Sequence, residues 1–171
     1  MTSAGLDDAS SVAEDAFIGL GSNLGDRVAE LDRAFDAIAR LPTTTLVARS
    51  TFYESAPLDA AGDDYVNAVA HVRTSLAPLD LLHALLGIEQ AHGRERPFPR
   101  APRTLDLDLL LHGTRTMQTP ELELPHPRLA ERAFVLAPLT EVAPGLDVPG
   151  RGTVEVLLAA VAGQRLAKLK R

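Results

Sequence analysis

The residues best equipped for chemistry lie in RTLDLDLLL, residues 103–111. Read as a strand, its two-residue period puts Asp106 and Asp108 on one face and Leu105, Leu107, Leu109 and Leu111 on the other. α-Carbons two residues apart in a strand are about 7 Å apart, so the carboxylates can share one cation or straddle two. The chain has no cysteine, and His71, His83, His92, His112 and His126 show no zinc-ligand spacing. That donor set suits a hard, oxygen-seeking ion such as Mg²⁺. Immediately upstream, GRERPFPRAPR (93–103) carries Arg94, Arg96, Arg100 and Arg103, opposed only by Glu95. Guanidinium forks match phosphate oxygens and stay charged at any working pH. Divalent metal beside clustered guanidiniums is what a polyphosphate requires. An acidic solvent-facing strand next to a solvated basic loop is the plainer alternative. The direct junction of the two segments favours polyphosphate binding.

Other segments signal less alone. In YVNAVAHVR (65–73), alternation puts Tyr65, Asn67, Val69 and His71 on one face and Val66, Ala68, Ala70 and Val72 on the other. An amide such as Asn67 can read a heterocycle edge through both donor and acceptor. GLGSNLGDR (19–27) is one residue off the dinucleotide fingerprint and lacks the Gly-Lys-Ser/Thr of a P-loop, so it reads as a tight strand-to-helix turn.

These residues need a scaffold, and the chain supplies one. Apolar AFIGL (16–20) reads as a buried strand, and Val28, Leu31, Ala34, Phe35, Ile38 and Leu41 recur at helical period up to Pro42. Strands follow over 45–53 and 65–73, then a helix from Pro78 to Gly93 and a strand over 104–112. A short helix around Arg128–Leu139 and an amphipathic helix over Val154–Leu166 complete the series. The order βαββαβ plus helix predicts an α+β domain with a mixed or antiparallel sheet covered by helices. At 171 residues the chain suits one domain that buries a core without disulfides. Residues 1–14 read as a mobile acidic tail and 15–171 as the single domain. A net charge of −6 argues against a general nucleic-acid coat, and no apolar run is long enough to span a bilayer. The expected setting is cytoplasmic, with no membrane partner and a monomeric state.

Taken together, GSNLGDR (21–27), STFYESAPL (50–58), DYVNAV (64–69), PRTLDLDLLL (102–111) and LPHPRLAERAFVLAPL (124–139) resemble the 6-hydroxymethyl-7,8-dihydropterin pyrophosphokinases of folate biosynthesis. The match runs in order from about residue 15 to about residue 145. The resemblance implies a ferredoxin-like α+β sandwich and transfer of the β,γ-diphosphate of ATP to the pterin hydroxymethyl group, leaving AMP. It implies that Asp106 and Asp108 hold two Mg²⁺, with Arg94 and Arg103 joining them in catalysis. It implies ATP contacts at Glu89, Arg94, Arg96, Arg103, Leu109, His126 and Arg132. Gly21, Ser55, Leu58, Tyr65, Asn67 and Phe134 match the pterin pocket, where Asn67 reads the ring edge. Departures touch the rim: Arg100 stands where some members carry a tryptophan, Pro127 where some have a tyrosine, and Ala56 where some have a proline. The rival readings are a Mg²⁺-dependent nucleotide hydrolase using the same aspartates and arginines, and a non-enzymatic module binding RNA or another anion.

Overall fold

The computed structural model describes residues 12–56, 64–92 and 105–170. In chain order it forms β1 (Glu14–Ser22), α1 (Arg27–Ala39), β2 (Thr44–Arg49), β3 (Tyr53–Ser55), β4 (Tyr65–Thr74), α2 (Pro78–Ala91) and β5 (Asp106–His112). Then come β6 (Met117–Gln118), β7 (Glu123–Leu124), a 3₁₀ turn at Leu129–Glu131, α3 (Ala133–Val142), β8 (Asp147–Val148), β9 (Gly152–Thr153), α4 (Val154–Ala160) and β10 (Ala167–Lys168). β4 is antiparallel to β1 on one side and to β2 and β3 on the other. β1 and β2 are therefore parallel, with β4 inserted between them. β5 lies antiparallel against the far side of β1, which makes β4 and β5 a second such pair around β1. These interleaved β–α–β units form the expected ferredoxin-like α+β sandwich.

Both helices of those units cover one sheet face. α1 forms because Leu31, Ala34, Phe35 and Ile38 make one apolar stripe and the Asp26 carboxylate accepts the Ala29 N–H at 3.1 Å. It stops at Ala39, short of Pro42. α2 starts on Pro78, whose missing N–H costs nothing in the first turn, and buries Leu81, Leu85 and Ile88. Their stripes meet Ala16, Ile18 and Leu20 of β1, Val66 to Val72 at alternate positions of β4, and Leu105, Leu107 and Leu109. Each large side chain buried there stabilises the fold by about 1.5–3 kcal/mol relative to exposure. On the other face α3 and α4 build a second core with Phe17, Val69, Leu110 and Leu111.

Leu111 corrects the sequence reading, which placed it with Leu105, Leu107 and Leu109. Ile18 pairs with Leu109 but Phe17 with Leu111, so Leu110 is an extra residue in the ladder. This β-bulge turns Leu110 and Leu111 into the second core. The expected strand over 45–53 is also divided. Ser50 Oγ accepts the Val69 N–H at 2.9 Å, replacing a ladder bond, and pairing resumes only at Tyr53. The last helix ends at Ala160, not Leu166, because the Gln164 side chain turns back to the Ala133 N–H and the Glu131 carbonyl. Around Arg128–Leu139 the expected single helix is a 3₁₀ turn followed by α3, which runs on to Val142. β1 begins at Glu14, earlier than its apolar run suggests.

Candidate active site

Beyond the second core, the same face carries a row of residues across four strands. Tyr53 on β3 pairs with Asn67 on β4, Asn67 with Gly21 on β1, and Gly21 with Asp106 on β5. In the adjacent row Val69, Gly19 and Asp108 are paired in the same way. Directly paired residues share a face, and neighbouring strands are about 4.8 Å apart. Asn67 and Asp106 are thus about 10 Å apart, two strand spacings, with a glycine between them. A methyl on Gly21 would stand 3.4 Å from Asn67 Oδ1 and 3.7 Å from the Tyr65 ring. The absent Cβ leaves a floor of bare backbone between the amide and the acid pair.

Of the residues that the resemblance assigns to the pterin, Ser55 and Asn67 meet directly. Asn67 and Ser55 are buried, and Asn67 Nδ2 donates to Ser55 Oγ at 2.8 Å, which fixes the amide plane. Behind them, Glu141 of α3 accepts the Thr51 N–H, the Thr51 hydroxyl and the Tyr53 hydroxyl, each at 2.9 Å. Burial pushes the Glu141 carboxyl up, but these donors outweigh it and hold it below the ordinary carboxylate value. The Tyr53 phenol is raised, first by burial and then by Glu141 itself. Phe134, in the first turn of α3, packs at the margin of the second core.

On the other side of the row, His126 follows the cis Leu124–Pro125 bond. Its N–H donates to the Leu110 carbonyl at 2.9 Å, and its carbonyl accepts from Arg151 Nη1 at 3.0 Å. The ring Nδ1 accepts the Arg128 N–H at 3.1 Å, which leaves Nε2 to carry the proton of the neutral imidazole. Burial drives the His126 pKa down. The Asp108 carboxylate opposes this, while Arg132, Arg128 and Arg151 add to it. The Arg132 guanidinium lies 5.4 Å from the Phe134 ring centroid, so the two predicted residue sets adjoin there.

Two predicted nucleotide contacts sit elsewhere than on this face. Glu89 is buried, and its carboxylate accepts the Leu107 N–H at 2.7 Å, on the strand segment between the two aspartates. Leu109 packs into the first core beneath the helices. Leu58, Arg94, Arg96, Arg100 and Arg103 lie outside the described residues. Sequence reasoning missed Arg128 and Arg151. Arg151 stands between Gly150 and Gly152, both at positive φ, in the β8–β9 turn. That context marks a turn but says nothing of a contact 25 residues away.

The acid pair suits a hard cation on the chemistry of its donors. Asp106 and Asp108 offer oxygen alone, and among the described residues no group of three or more His, Cys, Asp or Glu is placed to hold a metal. Two carboxylates with the remaining positions left to water and phosphate oxygens is how Mg²⁺ is commonly held.

Known proteins resemble the chain over most of its length. Residues 17–144 match the family model described as 7,8-dihydro-6-hydroxymethylpterin-pyrophosphokinase. A Pseudomonas aeruginosa 2-amino-4-hydroxy-6-hydroxymethyldihydropteridine pyrophosphokinase is 46% identical over 154 residues, covering 90% of this chain and 95% of that protein. The Haemophilus influenzae protein of the same name is 43% identical over 155 residues, covering 90% and 97%. Among solved structures, a Plasmodium falciparum HPPK-DHPS with SDX-DHP superposes with a TM-score of 0.71 at 15% identity, over 88% of this chain and 46% of that one. That last likeness speaks for the fold alone.

Proposed function

Since the chain belongs to the 7,8-dihydro-6-hydroxymethylpterin-pyrophosphokinase family, we propose that the face running from Asn67 to Asp108 is where its reaction takes place. The reaction moves the pyrophosphoryl group of ATP onto hydroxymethyldihydropterin, a step of folate biosynthesis. The pterin hydroxyl oxygen bonds to the β-phosphorus, the bond from that phosphorus to the α,β-bridging oxygen breaks, AMP leaves, and the hydroxyl proton is lost.

The observation that carries the placement is the row Asn67–Gly21–Asp106, with its side-chain-free centre. In this reading Asn67, oriented by Ser55, pairs with the polar edge of the pterin ring. Tyr65 and Phe134 supply aromatic walls, with Leu58 completing the pocket. The ring then lies over Gly21 with its hydroxymethyl arm directed towards β5. Asp106 and Asp108 would hold two Mg²⁺, which when bound neutralise charge on the phosphate oxygens. Neutral His126 donates from Nε2, and Arg132 adds a guanidinium to the same phosphates. Glu89 orders the strand between the aspartates through the Leu107 N–H, and Leu109 backs that strand from the first core. Arg94, Arg96 and Arg103 complete the phosphate set on the resemblance described above, with Arg94 and Arg103 nearest the chemistry. Positioning and charge neutralisation carry most of the catalysis in such transfers. We place the enzyme in the cytoplasm as a monomer, with the chain from Glu14 at the start of β1 acting as one domain.

The test is an assay of purified protein with ATP, Mg²⁺ and 6-hydroxymethyl-7,8-dihydropterin, products separated by chromatography. AMP formed in step with pterin diphosphate, and only when both Mg²⁺ and pterin are present, is the expected result. Nucleotide breakdown without pterin diphosphate would instead identify a hydrolase.

A further inference from the structure

Arg27 closes the GSNLGDR turn and opens α1. A cation is poorly placed there, because the N-terminus of a helix carries partial positive charge. The side chain shows what holds it. Arg27 Nη1 donates to the Asp64 carbonyl at 2.6 Å and lies 3.3 Å from Glu54 Oε2. Asp64 is the residue before β4, and Glu54 is the middle residue of β3. The β3–β4 ladder has only three pairs, Tyr53 with Asn67, Glu54 with Val66 and Ser55 with Tyr65. Those pairs carry Ser55, Tyr65 and Asn67. β10 and Glu141 tie β3 down at Tyr53 and Glu54, and Arg27 is the side chain that ties it to the entry of β4.

We infer that Arg27 is a positioning residue that clamps β3 to the start of β4 and thereby sets the affinity for the pterin, without touching it. This rests on the assignment of Ser55, Tyr65 and Asn67 to the pterin side. The clamp joins three chain segments around that pocket: the turn after Gly21, the middle of β3 and the entry to β4. Both contacts come from one terminal nitrogen, Nη1, whose two hydrogens can serve a carbonyl and a carboxylate together. The Arg27 and Glu54 side chains are 29% and 32% exposed, so the pair adds little to global stability. Its effect is local order.

The experiment compares R27A, R27K, E54Q and, as a control on the site assignment, N67A. Steady-state kinetics are measured with pterin varied at saturating ATP and with ATP varied at saturating pterin. Amide hydrogen exchange is followed in the substrate-free proteins. R27A is expected to raise the pterin KM roughly tenfold, as for loss of a charge-assisted contact, while the ATP KM stays within about twofold. R27K and E54Q are expected to fall between R27A and wild type. Exchange in R27A should quicken at residues 53–55 and 65–67 and hold steady in α2. An unchanged pterin KM, an equal rise in both KM values, or a uniform rise in exchange each overturns the clamp. If N67A leaves the pterin KM unchanged, the site assignment fails. The exchange pattern separates that failure from failure of the clamp, because it requires no substrate.

Discussion

Gly21→Ala sets fold stability and substrate binding against each other. Gly21 lies inside β1 and is not among the glycines at positive φ, so alanine adopts its backbone conformation without strain. The added methyl would meet Asn67 Oδ1 at 3.4 Å and the Tyr65 ring at 3.7 Å, contacts that require a shift of at most a few tenths of an ångström. Removing a glycine from a strand interior contributes about 0.5–1 kcal/mol, chiefly by restricting the unfolded chain. For a domain of this size that raises Tm by about 1–4 °C. The same methyl stands on the floor over which the ring must pass from Asn67 towards Asp106. Overfilling a packed site by one carbon costs about 1–3 kcal/mol, or roughly 5- to 150-fold in pterin KM. Thermal melting and initial rates with each substrate varied give both numbers from one preparation. A raised Tm with pterin KM within twofold of wild type refutes the claim that the glycine strip is the bed of the ring.

Asp106→Asn and Asp108→Asn should each lower kcat about 10²–10³-fold while leaving the circular dichroism spectrum unchanged, and chelating Mg²⁺ should abolish turnover of the unmodified enzyme. The His126 ring should titrate below its ordinary 6.5 in an NMR experiment on the free protein, and Asp108→Asn should lower the midpoint further by removing a charge that opposes the shift. An unfolded chain binds that proton more readily, so this residue subtracts stability as pH falls through 6.5 towards the folded value. Glu141→Gln should cost about 1 kcal/mol at neutral pH, modest because the carboxylate is largely exposed, with a Tm loss of roughly 2–4 °C. The Glu141 carboxyl is depressed in the fold, so its contribution is complete above the ordinary value of 4.5 and disappears as pH falls through the folded one. Melting curves of the two proteins should therefore converge in acid.

Local period was enough to find the acid pair and the mixed face of β4, because both depend only on alternation along one strand. Leu111 escaped because a bulge is a property of two strands: the extra residue at Leu110 shows only against Phe17 and Ile18. The break between β2 and β3 was hidden for a related reason. Ser50 looks compatible with a strand until its hydroxyl is seen taking the Val69 N–H. Arg27 and Arg151 act on carbonyls 37 and 25 residues away, distances at which spacing carries no signal. Glu89 was found only through family likeness. Its position on the apolar stripe of α2 gives no hint that its carboxylate ends on the backbone of β5.

That carboxylate has a second effect. Among the described strands β5 is the last of the sheet, and an unpaired outer strand is a template on which another chain can add. Glu89 occupies the Leu107 N–H, and the His126 N–H occupies the Leu110 carbonyl. Two residues proposed for the nucleotide side thus also seal the border along which copies of the protein would otherwise stack. Keeping the protein dispersed would then depend on the same two residues as the proposed nucleotide site. A substitution at Glu89 made to retune the second therefore opens a path to self-association, whatever it does to the rate.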